Sequence, residues 1–444
     1  MAIALTVLED SRPGIGACLL LEYQGKRLLL DCGYEDSRSS GQTRLSLPVP
    51  AGTIDSVALS HGHLGHCGLL PILRREGFAG KVHCTTDTGK IAMLGMLEAA
   101  LLQEEEKCYW ASKGRPPASE PMYDEKEVMN CLPLFATHSL GERVAIDEDV
   151  TIEFFRAGHC PGSAFLKISL RHRGQETKIL YIGDMGARGN DLNVAPVMND
   201  SYDHLFLPAF EASRQHAGEI EKELAEIIHH AREAGGNVLI PVSSIDRRDA
   251  ILQIIQDLSV SERIPSVFVF LDSPIASRQC DALPLEPNDS EIYPCLRPID
   301  TVAGSKTLNQ IRGTAVIIAG AGRGGYGRIG FHLRRNLARP ESAVVLFGSQ
   351  PDKSLDQVLD GGRRTLSVLG QEIEVKARVH RLEDPAVHLD ANVVMEWLGH
   401  VKSMPRRACV AHGTQEAKAQ FRIALQKSGI QSVDVPMTGE QITL

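Results

Sequence analysis

The chain has 444 residues, a length typical of two or three domains. Its composition, with 43% hydrophobic and 23% charged residues, is that of a globular protein, and no apolar run approaches the ~18 residues of a membrane helix. The net charge of −9 argues against a surface coated with positive charge for nucleic acid, although it allows a narrow basic cleft. No signal peptide is evident and the ten cysteines form no Cys-x-x-Cys pair, so we expect a cytoplasmic protein with no membrane contact.

The first two hundred residues or so alternate short apolar strands with single helices. The predicted strands are Ala2–Leu8, Ala17–Leu21, Arg27–Leu30, Thr151–Arg156, Ala164–Leu170 and Lys178–Ile182. A long helix is predicted over Asp87–Cys108, because Ile91, Leu94, Leu97 and Leu101 fall on one face. This order of elements indicates two sheets packed face to face, with helices outside.

The middle of the chain alternates strands and helices more regularly. The predicted strands there are Val238–Pro241, Val267–Leu271, Ala315–Ala319 and Ala343–Gly348. The predicted helices are Glu219–Glu233, Asp249–Leu258 and Ile329–Leu337, and the pattern recurs near the end in helix Asn392–Leu398, strand Ala408–Val410 and helix Thr414–Lys427. Strands that are apolar on both faces indicate a mostly parallel sheet covered by helices. The stretch Cys280–Asp300, rich in proline and acidic residues, is expected to be a surface loop.

Three closely spaced histidines, His61, His63 and His66, follow an apolar run that ends at Leu59 and that we interpret as a buried strand. The chain turns where a strand ends, so the three imidazoles can converge on one point, and neutral imidazole is a good ligand for Zn²⁺. Three more ligand-type residues stand next to or near glycine at the ends of later strands: His159, Asp184 and His412. The sequence therefore predicts a metal centre.

A strand-end His-x-His-x-x-His, followed by Gly-His…Gly-Ser and then Gly-Asp, resembles the metallo-β-lactamase superfamily. The stretch Leu30-Asp31-Cys32-Gly33 matches the early aspartate motif of that superfamily. The rest of the chain is similar to the β-CASP branch of RNA nucleases, which includes ribonuclease J and the endonuclease of eukaryotic pre-mRNA 3′ processing. The stretches that carry this second resemblance are Leu271–Ala276, Ala319–Ile329, Val387–Asp390 and His412-Gly413.

The resemblance implies an α/β fold in which a metallo-β-lactamase αββα sandwich spans residues 1–206 and is completed by residues 385–444. A β-CASP domain, with a mostly parallel sheet and flanking helices, would be inserted at residues 207–384. It also implies a zinc-dependent ribonuclease, endo- or 5′-exonucleolytic, that hydrolyses phosphodiester bonds of single-stranded RNA between the two domains through a metal-bound hydroxide. A homodimer is common in the branch and is a further expectation.

The resemblance further implies which residues hold metal. A first zinc ion would be held by His61, His63 and His159, and a second by His66 and His412. Asp184 would bridge the two ions. Asp31 would orient these ligands without touching the metal. Manganese and iron are alternatives to zinc.

On the substrate side, Glu211 would support His388, and His388 would protonate the leaving oxygen or hold the scissile phosphate. Ser273, Arg247 and Arg328 would contact RNA phosphates, for which the forked guanidinium of arginine is well suited. Local explanations stay open for these three residues. Serine before proline is favoured as a helix N-cap, and a surface arginine is commonly only solvated.

Position 65 departs from the family. The family normally places an aspartate there as a ligand of the second metal, whereas this chain has Gly65, so we expect a weaker second site. The stretch after Glu211 and the glycine-rich loop from Gly320 to Arg328 also depart from the family. Two alternative functions stay open because of these departures. One is a catalytically weakened protein that binds RNA or a partner, and the other is a hydrolase with a single firmly bound metal that acts on another phosphodiester or ester.

Overall fold

The computed structural model describes most of the chain. The described residues are 3–8, 16–33, 47–116, 120–186, 200–209, 217–242, 245–281, 296–311, 313–320, 327–348, 355, 358, 361, 364–383, 391–437 and 439–444.

The strands, in chain order, are β1 (Ala4–Val7), β2 (Leu19–Tyr23), β3 (Lys26–Leu30), β4 (Ser56–Ala58), β5 (Lys81–Thr85), β6 (Phe135–His138), β7 (Arg143–Ala145), β8 (Val150–Arg156), β9 (Ala164–His172), β10 (Gln175–Tyr181), β11 (His204–Leu207), β12 (Val238–Val242), β13 (Phe268–Asp272), β14 (Leu296–Ile299), β15 (Ala315–Gly320), β16 (Ala343–Phe347), β17 (Thr365–Val368), β18 (Gln371–Glu374), β19 (Arg378–Leu382), β20 (Arg407–Val410), β21 (Ser432–Asp434) and β22 (Gln441–Thr443).

The helices, in chain order, are α1 (Leu64–Cys67), α2 (Leu70–Arg75), α3 (Thr86–Ser112), α4 (Glu125–Met129), α5 (Ala217–Ala234), α6 (Ile245–Val260), α7 (Ala276–Asp281), α8 (Val302–Leu308), α9 (Arg328–Asn336), α10 (Ala391–Gly399) and α11 (Gln415–Lys427). Two short 3₁₀ turns lie at Ala51–Thr53 and Leu132–Leu134. Among the helices that the structure describes, none combines the length and the apolar character that crossing a membrane requires.

The chain divides into two compact units. Unit 1 comprises Met1–Met96, Glu125–Ser213 and Val387–Leu444, and unit 2 comprises Leu97–Asp124 and Arg214–Ala386. Sequence reasoning left Leu97–Asp124 in the first domain, because the long helix α3 shows no break in its pattern where the boundary falls. The domain boundaries at residues 206 and 384 stay a prediction.

Unit 1 is a sandwich of two sheets. Within the described residues, seven strands form each sheet, in the orders β22-β1-β2-β3-β4-β5-β6 and β21-β20-β11-β10-β9-β8-β7. Side chains from both sheets, such as Leu5 and Ile168, share one buried core. Alternate residues of the second sheet point the other way and pack on α10 and α11, where Trp397 and Phe421 are buried. The predicted sheet-on-sheet arrangement with outer helices is confirmed.

Unit 2 is built on a parallel sheet. Among the described residues its strand order is β14-β13-β15-β12-β16-β19, and every pairing in it is parallel. Helices α5 and α6 bury residues such as Leu224 and Ile255 on one face, and α8 and α9 bury residues such as Leu308 and Leu333 on the other. Because helices cover both faces of the sheet, β12 and β15 are buried at every position. The predicted mostly parallel sheet is confirmed.

The expected surface loop at Cys280–Asp300 is partly wrong. Strand β14 occupies Leu296–Ile299 at the edge of the parallel sheet. Two of its four residues are exposed, so this strand lacks the apolar run by which the other strands were predicted. Residues 282–295 lie outside the described part of the chain.

Candidate metal centre

The predicted ligands lie in loops that follow strands of unit 1, except for His66, which lies within a short helix. His61 and His63 follow β4, His159 follows β8, and Asp184 follows β10. His412 follows β20, which runs parallel to β11, itself parallel to β10. His66 lies on the short helix α1, for which His63 is the N-cap residue. The loops after these strands bring residues that are distant in sequence to one place.

Four of these side chains form a tight cluster. His61, His63, His159 and Asp184 each offer one donor atom within 4.8 Å of the others. The Nε2 atoms of His61 and His159 lie 3.5 and 3.7 Å from Oδ2 of Asp184. The Nε2 atom of His66 lies 3.5 Å from the same oxygen. Three imidazoles therefore converge on one carboxylate oxygen.

Asp31 organises the cluster from behind. Its buried carboxylate accepts four hydrogen bonds of 2.7 Å, from the N–H and Oγ of Ser60, Nδ1 of His66 and the hydroxyl of Tyr181. The backbone of Asp31 has φ +59°, a left-handed conformation that is rare outside glycine. A strained backbone persists where surrounding contacts fix it. Here the four hydrogen bonds to the carboxylate of Asp31 are those contacts.

Sequence reasoning missed Ser60 and Tyr181. A signal was present for Ser60, which stands immediately before His61 at the end of a predicted strand. Tyr181 ends β10, and its hydroxyl reaches a residue 150 positions away along the chain. The hydrogen bond between Tyr181 and Asp31 forms because the two sheets of unit 1 pack together, which the sequence alone does not show. Gly183 permits a close approach in the same region, because a Cβ there would lie 2.1 Å from Oγ of Ser60.

These hydrogen bonds decide which nitrogen of each ring faces the cluster. A carboxylate only accepts, so Nδ1 of His66 carries a hydrogen and Nε2 faces Asp184. Oγ of Ser60 donates to Asp31 and therefore accepts from Nδ1 of His61, 3.0 Å away. Nε2 of His61 is then a lone-pair nitrogen. It is buried and makes no hydrogen bond with the residues that the structure describes, which is costly unless a further ligand uses it.

The electrostatics differ between the buried rings of His61 and His66. Burial, followed by the neighbouring His66 and His63, lowers the pKa of His61 well below its usual value, so His61 is neutral and able to bind metal. Burial acts to lower the pKa of His66 as well, but the carboxylates of Asp31 and Asp184 outweigh it and raise that pKa to about 10. A metal ion at Nε2 of His66 would replace the proton held there.

The donor set fits a divalent transition metal. Neutral imidazole nitrogens together with a carboxylate oxygen suit Zn²⁺, Mn²⁺ and Fe²⁺. The buried lone pair of His61 Nε2, which has no hydrogen-bond partner among the described residues, is the observation that most directly favours a bound ion. Hydrogen bonding of His61 and His66 through Nδ1 is the arrangement found behind metal-binding histidines in general.

The residues assigned to a second ion are less closely gathered. The rings of His66 and His412 lie 6.1 Å apart between centroids, and the tight cluster does not include His412. The carbonyl of His412 accepts a hydrogen bond of 2.6 Å from Ala209, which fixes its loop. Gly65 lies on α1, and a Cβ added there would meet no atom of the described residues within 4 Å. Within that part of the chain, position 65 therefore has space for a Cβ.

The predicted substrate residues fall in different places. Glu211 and His388 lie outside the described residues. Ser273 is buried at the start of the segment that leads into α7, and its Oγ accepts a hydrogen bond of 3.2 Å from the N–H of Ile275, as in the helix-cap alternative. Arg247 is half-buried on α6. Phosphate contacts by Ser273 and Arg247 stay predictions.

Arg328 is fully buried in unit 2 rather than solvated, so the surface-arginine alternative is wrong. Its guanidinium donates to both oxygens of Glu105 at 2.6 and 2.7 Å and to Oδ1 of Asp272 at 2.8 Å. The other oxygen of Asp272 lies 2.7 Å from Nε2 of His332. A phosphate could bind Arg328 only if these carboxylates released it, so phosphate binding by this residue stays a prediction.

Comparison with known protein families agrees with this geometry. The family described as the metallo-beta-lactamase superfamily matches residues 11–225, and the Beta-Casp domain family matches residues 250–359. The chain belongs to the β-CASP branch of the metallo-β-lactamase superfamily. It is therefore a member of a family of metallo-hydrolases.

Several curated proteins are similar to this β-CASP protein over most of its length. A protein named ribonuclease, from Thermus thermophilus, is 29% identical over 448 residues, which cover 97% of this chain and 98% of that protein. A protein named RNase J-like, from Methanocaldococcus jannaschii, is 25% identical over 436 residues, 95% of each chain. A transcription termination factor of Methanosarcina mazei is 24% identical and is covered over 69% of its length.

A solved structure has the same fold. A protein of unknown function from Enterococcus faecalis V583 aligns over 100% of both chains with a TM-score of 0.54 and 14% identity. At that identity the likeness concerns the fold alone.

Proposed function

We propose that this β-CASP protein is a metal-dependent ribonuclease that hydrolyses phosphodiester bonds of single-stranded RNA. The observation that carries the proposal is the convergence of His61, His66 and His159 on one oxygen of Asp184, supported from behind by Asp31. The names of the Thermus and Methanocaldococcus relatives support RNA as the substrate.

In this proposal the ligands fall into two groups. A first ion would be held by His61, His63 and His159, and a second, bound more weakly, by His66 and His412, with Asp184 shared. Bound divalent ions acidify water and offset negative charge on a phosphate. Zinc fits this donor set, and manganese or iron are further candidates.

The protein's own side chains would prepare this site. Asp31 and Ser60 hold the rings of His61 and His66 so that their Nε2 atoms face Asp184. Preorganised ligands lose little freedom when an ion binds, which strengthens binding. His388, supported by Glu211, is our candidate for donating a proton to the leaving oxygen.

A second candidate function is RNA binding without cleavage. The observation that favours it is Gly65, which leaves open space where the family has a carboxylate ligand. Loss of one charged ligand weakens a second ion, and a protein with an incomplete second site would bind RNA but cleave it slowly.

The test compares the wild type with Asp184→Asn on one labelled single-stranded RNA, with Zn²⁺ or Mn²⁺ added. Asparagine preserves the shape of Asp184 and removes the charge. We expect metal-dependent cleavage by the wild type and a loss of at least about a hundredfold in Asp184→Asn. The reason is that Oδ2 of Asp184 lies 3.5 to 3.7 Å from Nε2 of three of the proposed ligand histidines. DNA of the same sequence and duplex RNA serve as substrate controls.

Two results would contradict the proposal. Equal cleavage by the wild type and Asp184→Asn would mean that the activity does not arise at this cluster. Firm RNA binding by the wild type, without cleavage at any metal concentration, would replace the nuclease by the RNA-binding candidate.

A further inference from the structure

A cavity of about 680 Å³ opens at the end of α9 in unit 2. It lies between that helix end and the segment that joins α8 to β15. The residues that line it include Arg335, Arg339 and Gln310. None of the described residues that line it is acidic. In a chain of net charge −9, an open cavity lined by cations and neutral groups is unexpected.

The two arginines are held differently. Arg339 donates to Glu341 at 2.8 Å and to the carbonyl of Gly235 at 3.4 Å, so part of its charge is neutralised and its position is fixed. Arg335 is exposed, and its guanidinium makes no hydrogen bond or ion pair with the residues that the structure describes. Arg335 therefore keeps its full positive charge and all its donors for a ligand.

The positive charge continues beyond the cavity. The ammonium group of Lys306, on α8, lies 5.4 Å from the ring centre of Phe331, and Phe331 stands one turn before Arg335 on α9. Cations that follow one another along adjacent helices suit a chain of phosphates better than a single phosphate. Free arginine forks also match phosphate oxygens closely.

Resting on the proposed function, we propose that this cavity binds phosphate groups of single-stranded RNA through Arg335, with Arg339 and Gln310 as further donors. The site lies wholly within unit 2 and shares no residue with the metal centre or with the predicted phosphate contacts. It would add affinity for RNA strands long enough to reach it and would take no part in bond cleavage.

A local explanation competes with this proposal. Arginine near the carboxyl end of a helix interacts favourably with the helix dipole, and Arg334 and Arg335 both lie in the last turn of α9. Arg334 is also exposed but does not line the cavity, which makes it a matched control. The dipole explanation predicts the same behaviour for both positions, whereas Arg335 is the only one of the two that belongs to the proposed site.

The experiment measures binding of a labelled single-stranded RNA of about 20 nucleotides to the full chain in chelator, where no cleavage occurs. We expect Arg335→Gln to raise Kd about fivefold near 0.1 M salt and to reduce the slope of log affinity against log salt by about 0.7, the value for one lost phosphate contact. Arg334→Gln should change Kd less than about twofold. Arg335→Gln/Arg339→Gln should weaken binding further.

Each remaining outcome decides against the site. Equal losses in Arg334→Gln and Arg335→Gln would mean general electrostatic attraction. No loss in Arg335→Gln, or no RNA binding by the wild type in chelator, would remove the site altogether. Displacement of the RNA by AMP at equal phosphate concentration would identify a mononucleotide site instead. Cleavage is measured separately with added metal, so the RNA site stands or falls independently of the nuclease.

Discussion

The histidine cluster of unit 1 and the Arg328 network of unit 2 are both buried and polar, but they are completed differently. In unit 2, Arg328 lies between Asp272 and Glu105, and opposite charges meet at 2.6 to 2.8 Å. In unit 1, the oxygen of Asp184 faces imidazoles at 3.5 to 3.7 Å, and Nε2 of His61 makes no hydrogen bond with the described residues. In a buried network such as that of Arg328, the polar groups bond to one another and stabilise the fold. A network that leaves a buried lone pair without a hydrogen bond indicates a ligand.

The largest effect is expected at His61. His61→Ala removes the buried lone pair of Nε2 and one member of the tight cluster, so the first ion should be lost. We expect RNA cleavage to fall at least about a thousandfold, because metal ions supply several kcal/mol of transition-state stabilisation. Metal content and cleavage rate on the same purified sample measure the effect.

His400→Ala is the matched control for that change. His400 is exposed, and its side-chain hydrogen bond among the described residues runs from Nδ1 to the carbonyl of Glu396, 2.8 Å away. Its replacement should leave metal content and cleavage at wild-type levels. Cleavage by His61→Ala at the wild-type rate would show that the cluster is not the active site.

The histidine cluster was open to prediction from sequence, whereas the Arg328 network was not. Four of the six ligands stand two or three residues after a strand that the sequence predicts, as His61 does after Leu59, so the strand and its ligand can be predicted together. Arg328 and Glu105 are 223 residues apart and lie on separate helices. Their pairing depends on how α3 and α9 pack, which no local pattern of residues encodes.

The second effect concerns stability and belongs to unit 2. Arg328→Met fills a similar volume but leaves Asp272 and Glu105 without their cation. Breaking a buried ion pair on one side costs about 3–5 kcal/mol, so we expect a loss of that order in the free energy of unfolding. Denaturant unfolding of chelator-treated protein measures it, with the exposed Arg334→Met as a control that should change by less than about 0.5 kcal/mol.

This change also sharpens the contrast between the two clusters. The folded fraction of Arg328→Met should bind as much metal as the wild type, because Arg328 lies in unit 2 whereas the metal ligands lie in unit 1. An unfolding free energy within about 1 kcal/mol of the wild type would mean that the Arg328 network does not stabilise unit 2.

An intermediate effect is expected at Asp31. Asp31→Asn places an amide where Nδ1 of His66 and the hydroxyls of Ser60 and Tyr181 donate, so two donors would face each other. Loss of such an orienting carboxylate lowers metal affinity about 10- to 100-fold. Competition with a chelator of known affinity measures the metal affinity of the variant and of the wild type.

Tyr181→Phe is the comparison for Asp31→Asn, because it removes one donor to the same carboxylate and leaves His66 in place. We expect a change in metal affinity smaller than about threefold. Equal losses in the two variants would mean that Asp31 acts only by filling space in the fold.

The smallest effect is expected at Gly65. Gly65→Asp restores a carboxylate in open space on α1, near His66, and should raise the affinity for the second ion about tenfold or more. Gly65→Asn has the same size without the charge and should bind metal like the wild type. Unchanged metal content in Gly65→Asp would show that the second site is already complete or is absent.

The central claim is that the cluster around Asp184 is a metal centre on which RNA cleavage depends. The most direct measurement adds Zn²⁺ or Mn²⁺ stepwise to metal-free protein and determines ions bound per chain and RNA cleavage in each sample. We predict one tightly bound and one weaker ion per chain, with cleavage rising as they bind. Cleavage by the metal-free protein, or a chain that binds no ion at saturating metal, would contradict the claim.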